Sequence, residues 1–268
     1  MVEATLWVLG YAAIGTFVGT FAGMLGIGGG MLIIPPLALA LEAQGLARGH
    51  VLHVAVGTAM ATIVFTSFSS ARAHAIRRAV RWDMARRLTP GILIGSVLGA
   101  TASRFFSTRS LGLYITAFVF AMAISTALDV RPKAAREPPG AISMFVAGFV
   151  IGGLSALVAI GGAVMTVPFM LYCNVPMIQA VGTAAAIGFP IAVGGTIGYV
   201  VSGWSVAGLP TWSVGFVYLP ALAGITVASV VTAPLGARIA HRLPARQLRL
   251  IFAVFLLVLA TRMLVSLW

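Results

Sequence analysis

Cysteine is nearly absent from this chain: Cys173 stands alone. That excludes an intramolecular disulfide and a cysteine-based metal cage, and leaves the thiol to act as a small buried hydrophobe. Acidic residues are almost as scarce, with Asp and Glu numbering 5 of 268, at Glu3, Glu42, Asp83, Asp129 and Glu137. None lies well inside an apolar stretch, Asp129 falling at the end of one, so carboxylate proton relays and carboxylate sodium sites are not expected. Charge of either sign is thin, at 8%, where a soluble domain carries about 25%. With 60% hydrophobic residues and a mean hydropathy of +1.07, the chain reads as an all-α polytopic membrane protein. Enzyme signatures are missing too. There is no HExxH, no acidic pair and no Cys–His set, and a serine nucleophile paired with His53 would lack an acidic partner.

What charge there is comes almost entirely as base, giving a net +12. Such a value suggests nucleic acid until its distribution is read. Residues 4–41 and Pro138–Ala237 hold no Asp, Glu, Lys or Arg, so the basic residues sit in short clusters between apolar stretches. Clusters of that kind mark cytoplasmic loops and anionic headgroups rather than a nucleic-acid face. Apolar segments are expected near 6–27, 31–45, 51–71, 88–103, 111–129, 141–160, 163–174, 177–201, 213–236 and 248–267. Most approach the roughly 20 residues a helix needs to cross the hydrocarbon core, the second and seventh falling short. The N-terminus lacks a basic n-region and carries Glu3 before the apolar run from Leu6, so the first segment is expected to be a retained membrane helix.

The halves repeat. Gly19, Ile27, Gly28, Gly29 and Pro35 recur as Gly152, Ile160, Gly161, Gly162 and Pro168, at a constant offset of 133. Ala55–Ala59 recurs as Ala180–Ala184 at an offset of 125, the first half carrying a loop eight residues longer around Glu42 to His50. The expected organisation is a first membrane repeat over 1–130, a cytoplasmic linker over 131–140 and a second repeat over 141–268. If each glycine cluster only kinks a helix, each half crosses four times and the repeats are parallel. If it turns the chain back, each half crosses five times and they are inverted. Basic residues favour five. One face then receives Arg72, Arg77, Arg78, Arg81, Arg86, Arg87, Arg131, Lys133, Arg136, Arg238, Arg242, Arg246 and Arg249, and the other only Arg48, Arg104 and Arg109. By the positive-inside rule loops 72–87, 131–136 and 238–249 are cytoplasmic and both termini lie outside.

Two constellations suggest a site. Glycine runs and prolines at membrane depth break the helical ladder, which is tolerated only where backbone is buried in protein or lines a cavity. Paired breaks in matching positions of two repeats point to a midplane binding site, with freed amides and a helix N-terminus suited to an anion. The candidates are Gly28, Gly29, Gly30, Gly161 and Gly162, with Pro35 and Pro168 as the helix breaks. The second constellation is His53, Gly57, Thr58 and Thr62 in one half with Gln179, Gly182 and Thr183 in the other. A buried imidazole at His53 can donate to an anion, take up a proton, or simply bond a neighbouring carbonyl. Other glycines spaced by four, Gly15 with Gly19, Gly95 with Gly99, Gly148 with Gly152 and Gly194 with Gly198, read as helix-packing positions. No metal site and no cofactor is expected.

The stretches Gly19–Pro35, His53–Ala59 and His74–Asp83, then Gly95, Gly99, Gly198-Tyr199, Leu219-Pro220 and Ala233–Pro244, resemble the sulfite exporter TauE/SafE family of membrane permeases, over nearly the whole chain. The resemblance implies a secondary transporter moving sulfite, sulfonates or related organosulfur carboxylates across the bacterial inner membrane. The expected partners are a small anion and membrane lipids, not nucleic acid, with a homodimer left open. The expected site joins amides around Gly28–Gly30 and Gly161–Gly162 to the hydroxyls of Thr58 and Thr183. Export needs no coupling ion, because an inside-negative potential drives an anion outward at about 2.3 kcal/mol per charge per 100 mV. Two alternatives stand beside export. One is uptake coupled to a proton or sodium ion, with His53 or unwound carbonyls in place of the missing acid; the other, outside transport, is an intramembrane enzyme or scaffold.

Overall fold

Long apolar runs and glycine punctuation make an almost wholly helical molecule. The computed structural model describes residues 2–25, 29–46, 49–127, 139–240 and 245–266. Among them are ten α-helices: α1 Val2–Leu25, α2 Gly30–Ala43, α3 Val51–Ile76, α4 Trp82–Ala102, α5 Thr108–Ala127, α6 Ala141–Val158, α7 Ala163–Tyr172, α8 Met177–Gly203, α9 Leu219–Ala240 and α10 Ala245–Ser266. A 3-10 turn, Ser103–Phe105, follows α4. Four helices, α3, α5, α6 and α8, are long and apolar enough to cross a membrane by length and composition. Large apolar side chains such as Leu6, Phe65, Ile142 and Val227 face outward, each more than half exposed, as a lipid-facing surface requires.

The chain does not run straight through either glycine cluster. Gly29 takes the left-handed conformation at φ 70, and a methyl group there would come within 2.8 Å of Ala22 and 3.1 Å of Val18 on α1. A continuing helix would carry residue 29 about 16 Å beyond Val18 at 1.5 Å per residue, so the chain has turned back. At the second cluster Ala159 and Gly162 both have φ 48, the Ile160 amide bonds the Ser155 carbonyl at 3.1 Å, and the Ser155 hydroxyl reaches Met165 Sδ at 3.9 Å. That chain also reverses. α2 and α7, with 14 and 10 residues, are about 21 and 15 Å long, short of the roughly 30 Å hydrocarbon core. The extra turn in α2 takes up four residues of the difference between the halves, and the following loop three more.

Close glycine contacts set the packing and reveal helix directions. α3 and α8 lie antiparallel: Gly57 meets Tyr199, Met60 meets Gly195, and Ser67 meets Gly188. α4 and α6 run parallel, with Gly91 on the Phe145 carbonyl, Gly95 on the Phe149 carbonyl and Gly99 on the Gly153 carbonyl. α1 and α9 also run parallel, with Gly15 on the Ile225 carbonyl and Gly19 on Ser229. There the Ser229 hydroxyl donates to the Gly15 carbonyl at 3.0 Å. The expected packing role of the glycines spaced by four holds at these positions and at Gly194 and Gly198, which lie on Ser96 and Ala100 of α4.

The segment expected over 213–236 begins differently. Residues 213–218 form a hairpin of β1 Ser213–Val214 and β2 Val217–Tyr218, with Ser213 opposite Tyr218. Gly215, at φ 56, makes the turn; the helix starts only at Leu219, with Pro220 in its first turn, where a missing amide costs nothing.

Candidate functional site

The two breaks meet near the middle of the α3–α8 pair. Gly30, the first residue of α2, lies against the Ile63 side chain of α3 and the carbonyl oxygen of Ala159, the residue that ends α6. Gly162, just before α7, lies on α8: a methyl there would stand 2.9 Å from the Ala184 carbonyl oxygen and 3.0 Å from the Gly188 amide. Gly29, Gly30, Gly161 and Gly162 are all buried; Gly28 lies outside the described residues. Thr166, in the first turn of α7, is fully buried, and its hydroxyl makes no hydrogen bond among the described residues. Pro35 and Pro168 each sit at the sixth position of their helices, where each removes an amide from the ladder beside the break. This centre contains backbone, glycine and hydroxyls, and no charged side chain among the described residues enters it.

The second constellation is split. From the antiparallel register Thr183 lies level with residue 72 of α3, about 20 Å along the axis from Thr58. One small anion cannot touch both. Each hydroxyl is instead committed to a backbone amide at its own end of the pair. Thr58 Oγ1 accepts from the Tyr218 N–H at 3.0 Å, and Thr183 Oγ1 accepts from the Arg81 N–H at 2.9 Å while donating to the Gln179 carbonyl at 2.6 Å. Gly57 admits the Phe216 carbonyl, 2.6 Å from where a methyl would stand. Gly182 admits Ala79, whose carbonyl carbon would lie at 2.8 Å. Gln179, part-buried, contributes through its backbone.

His53 is buried at 4% exposure at the Thr58 end. Its Nε2 lies 3.0 Å from the Ser103 carbonyl, a geometry in which Nε2–H donates and Nδ1 is left as an acceptor. Nδ1 makes no hydrogen bond among the described residues. Phe216 stacks on the imidazole with centroids 5.2 Å apart. The structure therefore gives His53 the carbonyl partner and keeps one ring nitrogen available.

Phe216, Ala79 and Tyr199 escape a reading of the sequence. Gly57 and Gly182 signal that some backbone approaches closely, but the approaching segments are 159 and 103 residues away, and apart from Val80 and Val217 they have no residues in common. Among the described residues no group of His, Cys, Asp and Glu is placed to hold a metal.

No solved structure matches this chain. A curated relative from Haemophilus influenzae, described as a "probable membrane transporter protein", is 32% identical over 255 residues, covering 93% of this chain and 95% of its own length. A protein of the same description from Bacillus subtilis is 28% identical over 71% of this chain and 77% of its own, and another from Methanocaldococcus jannaschii is 25% identical over 94% and 93%. The family model of the sulfite exporter TauE/SafE family matches residues 11–263. A helical chain with apolar outer faces and two glycine breaks meeting at its centre thus belongs to the sulfite exporter TauE/SafE family of membrane transporters.

Proposed function

We propose that this permease exports a small anion, sulfite, a sulfonate or a related organosulfur carboxylate, across a bacterial inner membrane by alternating access. The observation that carries the reading is the meeting of the two helix breaks, Gly30 on Ala159 and Gly162 on Ala184 and Gly188, midway along α3 and α8. Amides released in the first turns of α2 and α7, together with the Thr166 hydroxyl, suit an anion. In this proposal the substrate touches Gly28, Gly29, Gly30, Gly161 and Gly162, while Thr58, Thr183, Gly57 and Gly182 act at the ends of the pathway.

The five-plus-five inverted repeat, with halves over 1–130 and 141–268, belongs to the same proposal. It is supported by the reversal at both breaks and by the antiparallel run of α3 and α8, which a parallel four-plus-four repeat would place in one direction. It is also supported by reciprocity: Thr58 bonds the residue before α9 and Thr183 the residue before α4. The basic loops then face the cytoplasm, and Trp204 and Trp212, 74% and 77% exposed, fall at the outer interface. A bound anion, surrounding lipid and a second copy of the chain are the partners in view.

His53 favours a second reading, uptake coupled to a proton, because its Nδ1 is buried and unbonded. Flux of sulfite or a sulfonate into and out of proteoliposomes, under an imposed potential with and without a pH gradient, separates the two. Export predicts flux that follows the potential alone and survives His53→Gln. Flux that requires the pH gradient and is abolished by that substitution supports coupling, and no flux of any anion in a broad panel defeats both.

A further inference from the structure

The ends of the α3–α8 pair carry two equivalent devices that the substrate site does not use. At one end the hairpin 213–218 folds back onto α3 and α8, burying Phe216 at 2% exposure between His53, Gly57 and Gly203. At the other the loop 77–81 folds onto α8, burying Ala79 at 6% against Gly182. The two segments correspond at one offset. Arg78 and Gly215, at φ 53 and φ 56, precede the buried Ala79 and Phe216; Arg81 and Tyr218 donate to the threonines; Trp82 and Leu219 open α4 and α9. Arg78 holds a left-handed conformation that costs a residue with a Cβ roughly 1–2 kcal/mol, so something must keep that loop in place.

We infer that Gly57-Thr58 and Gly182-Thr183 are the latches of two opposed gates, the hairpin 213–218 closing the outer end and the loop 77–81 the inner end. The inference rests on the alternating-access reading above. Each latch joins one half's α3 or α8 to the amide that begins the other half's α9 or α4. Opening a gate therefore requires moving α9 with α1, or α4 with α6, away from the central pair. Both threonine hydroxyls are engaged at once in this structure, which makes it a state closed at both ends. Because the hydroxyl is the acceptor of a part-buried amide, removing it leaves that amide without a partner only while the gate is shut. The substitution therefore favours the open gate at its own end. Thr58 and Thr183 are positioning residues here, acting on access and not on substrate.

The test is accessibility. In a Cys173→Ser background, Thr62→Cys reports from one turn inside Thr58, and Ile187→Cys from one turn inside Thr183; both native side chains are buried. Each is labelled with a membrane-impermeant maleimide, in intact cells for the outer side and in inside-out vesicles for the inner. Thr58→Val is expected to speed outer labelling at position 62 about tenfold, the scale of one lost hydrogen bond, and to leave inner labelling at position 187 unchanged or slower. Thr183→Val is expected to do the reverse. Thr58→Ser and Thr183→Ser, which keep an acceptor oxygen, are expected to restore parental rates. Should a valine variant fail to reach the membrane, Gly57→Ala or Gly182→Ala, whose methyl meets the gate backbone directly, takes its place. Equal acceleration of both labels by either variant, or no acceleration by any, overturns the assignment. Labelling needs no substrate, so a failure here is distinct from failure of the proposed anion flux.

Discussion

At the scale of single residues, glycine does different work at different places. Gly10 has open space around it and faces no helix. A methyl at Gly95 would strike the Phe149 carbonyl of α6, with the Phe149 Cα at 2.9 Å. Since lipid supplies no hydrophobic drive between helices, such backbone approach is what holds α4 on α6. Gly95→Ala is therefore expected to destabilise the purified protein by about 1–3 kcal/mol, the usual cost of overpacking, and to lower its thermal unfolding midpoint in detergent. Gly10→Ala, where the methyl meets nothing and alanine is the better helix former, is expected to leave that midpoint unchanged or raise it. Equal midpoints for the two variants would remove glycine contact as the basis of the α4–α6 packing. Among the described residues four helices end with a left-handed residue, Gly45 after α2, Arg78 after α3, Ala159 after α6 and Asn174 after α7, each followed by an amide bonded five residues back. Only glycine and asparagine are at ease there. Arg78 lies within the loop proposed as the inner gate, and Ala159 adjoins the second break.

At the scale of elements, the antiparallel run of α3 and α8 supports the inverted arrangement proposed above. Ser67 Cβ stands 3.5 Å from where a Cβ at Gly188 would lie, within the range a disulfide spans. With Cys173 replaced, Ser67→Cys with Gly188→Cys is expected to form a disulfide on mild oxidation, read as altered mobility that reductant reverses. Because that bond pins the two halves at the centre, anion flux is expected to fall at least several-fold until reductant is added. A parallel pair aligned by the offset of 125 would set Ser67 level with residue 192, one turn from Gly188, so the absence of cross-linking counts against the central α3–α8 contact itself.

For the whole molecule, two helix pairs, α1 with α9 and α4 with α6, each join one helix from either half, and α3 with α8 runs between them. Neither half can close its own core: α9 needs α1 and α4 needs α6, so the two halves of the chain are interlaced rather than set side by side. The proposed five-plus-five arrangement places both termini outside the cell. A reporter fused after Trp268 is expected to be active when it requires export and silent when it requires the cytoplasm, and the opposite pattern defeats the topology.

Composition by itself determined the class, because 60% hydrophobic residues with 5 acids have no stable arrangement in water. The paired glycine breaks were legible too, since runs of glycine sustain a helical ladder poorly, whereas Pro35 and Pro168, expected as the breaks, lie inside α2 and α7. The packing glycines were visible as spacings of four, though not their partners. Only the tertiary structure decided what Thr58 and Thr183 touch. The repeat made them look like two halves of one site, yet the antiparallel register of α3 and α8 sets them about 20 Å apart, each on an amide from the other half. Sequence spacing reports which residues share a helix face; which distant loop comes to rest on that face depends on how the helices are interlaced, a property of long-range contacts that no local pattern records.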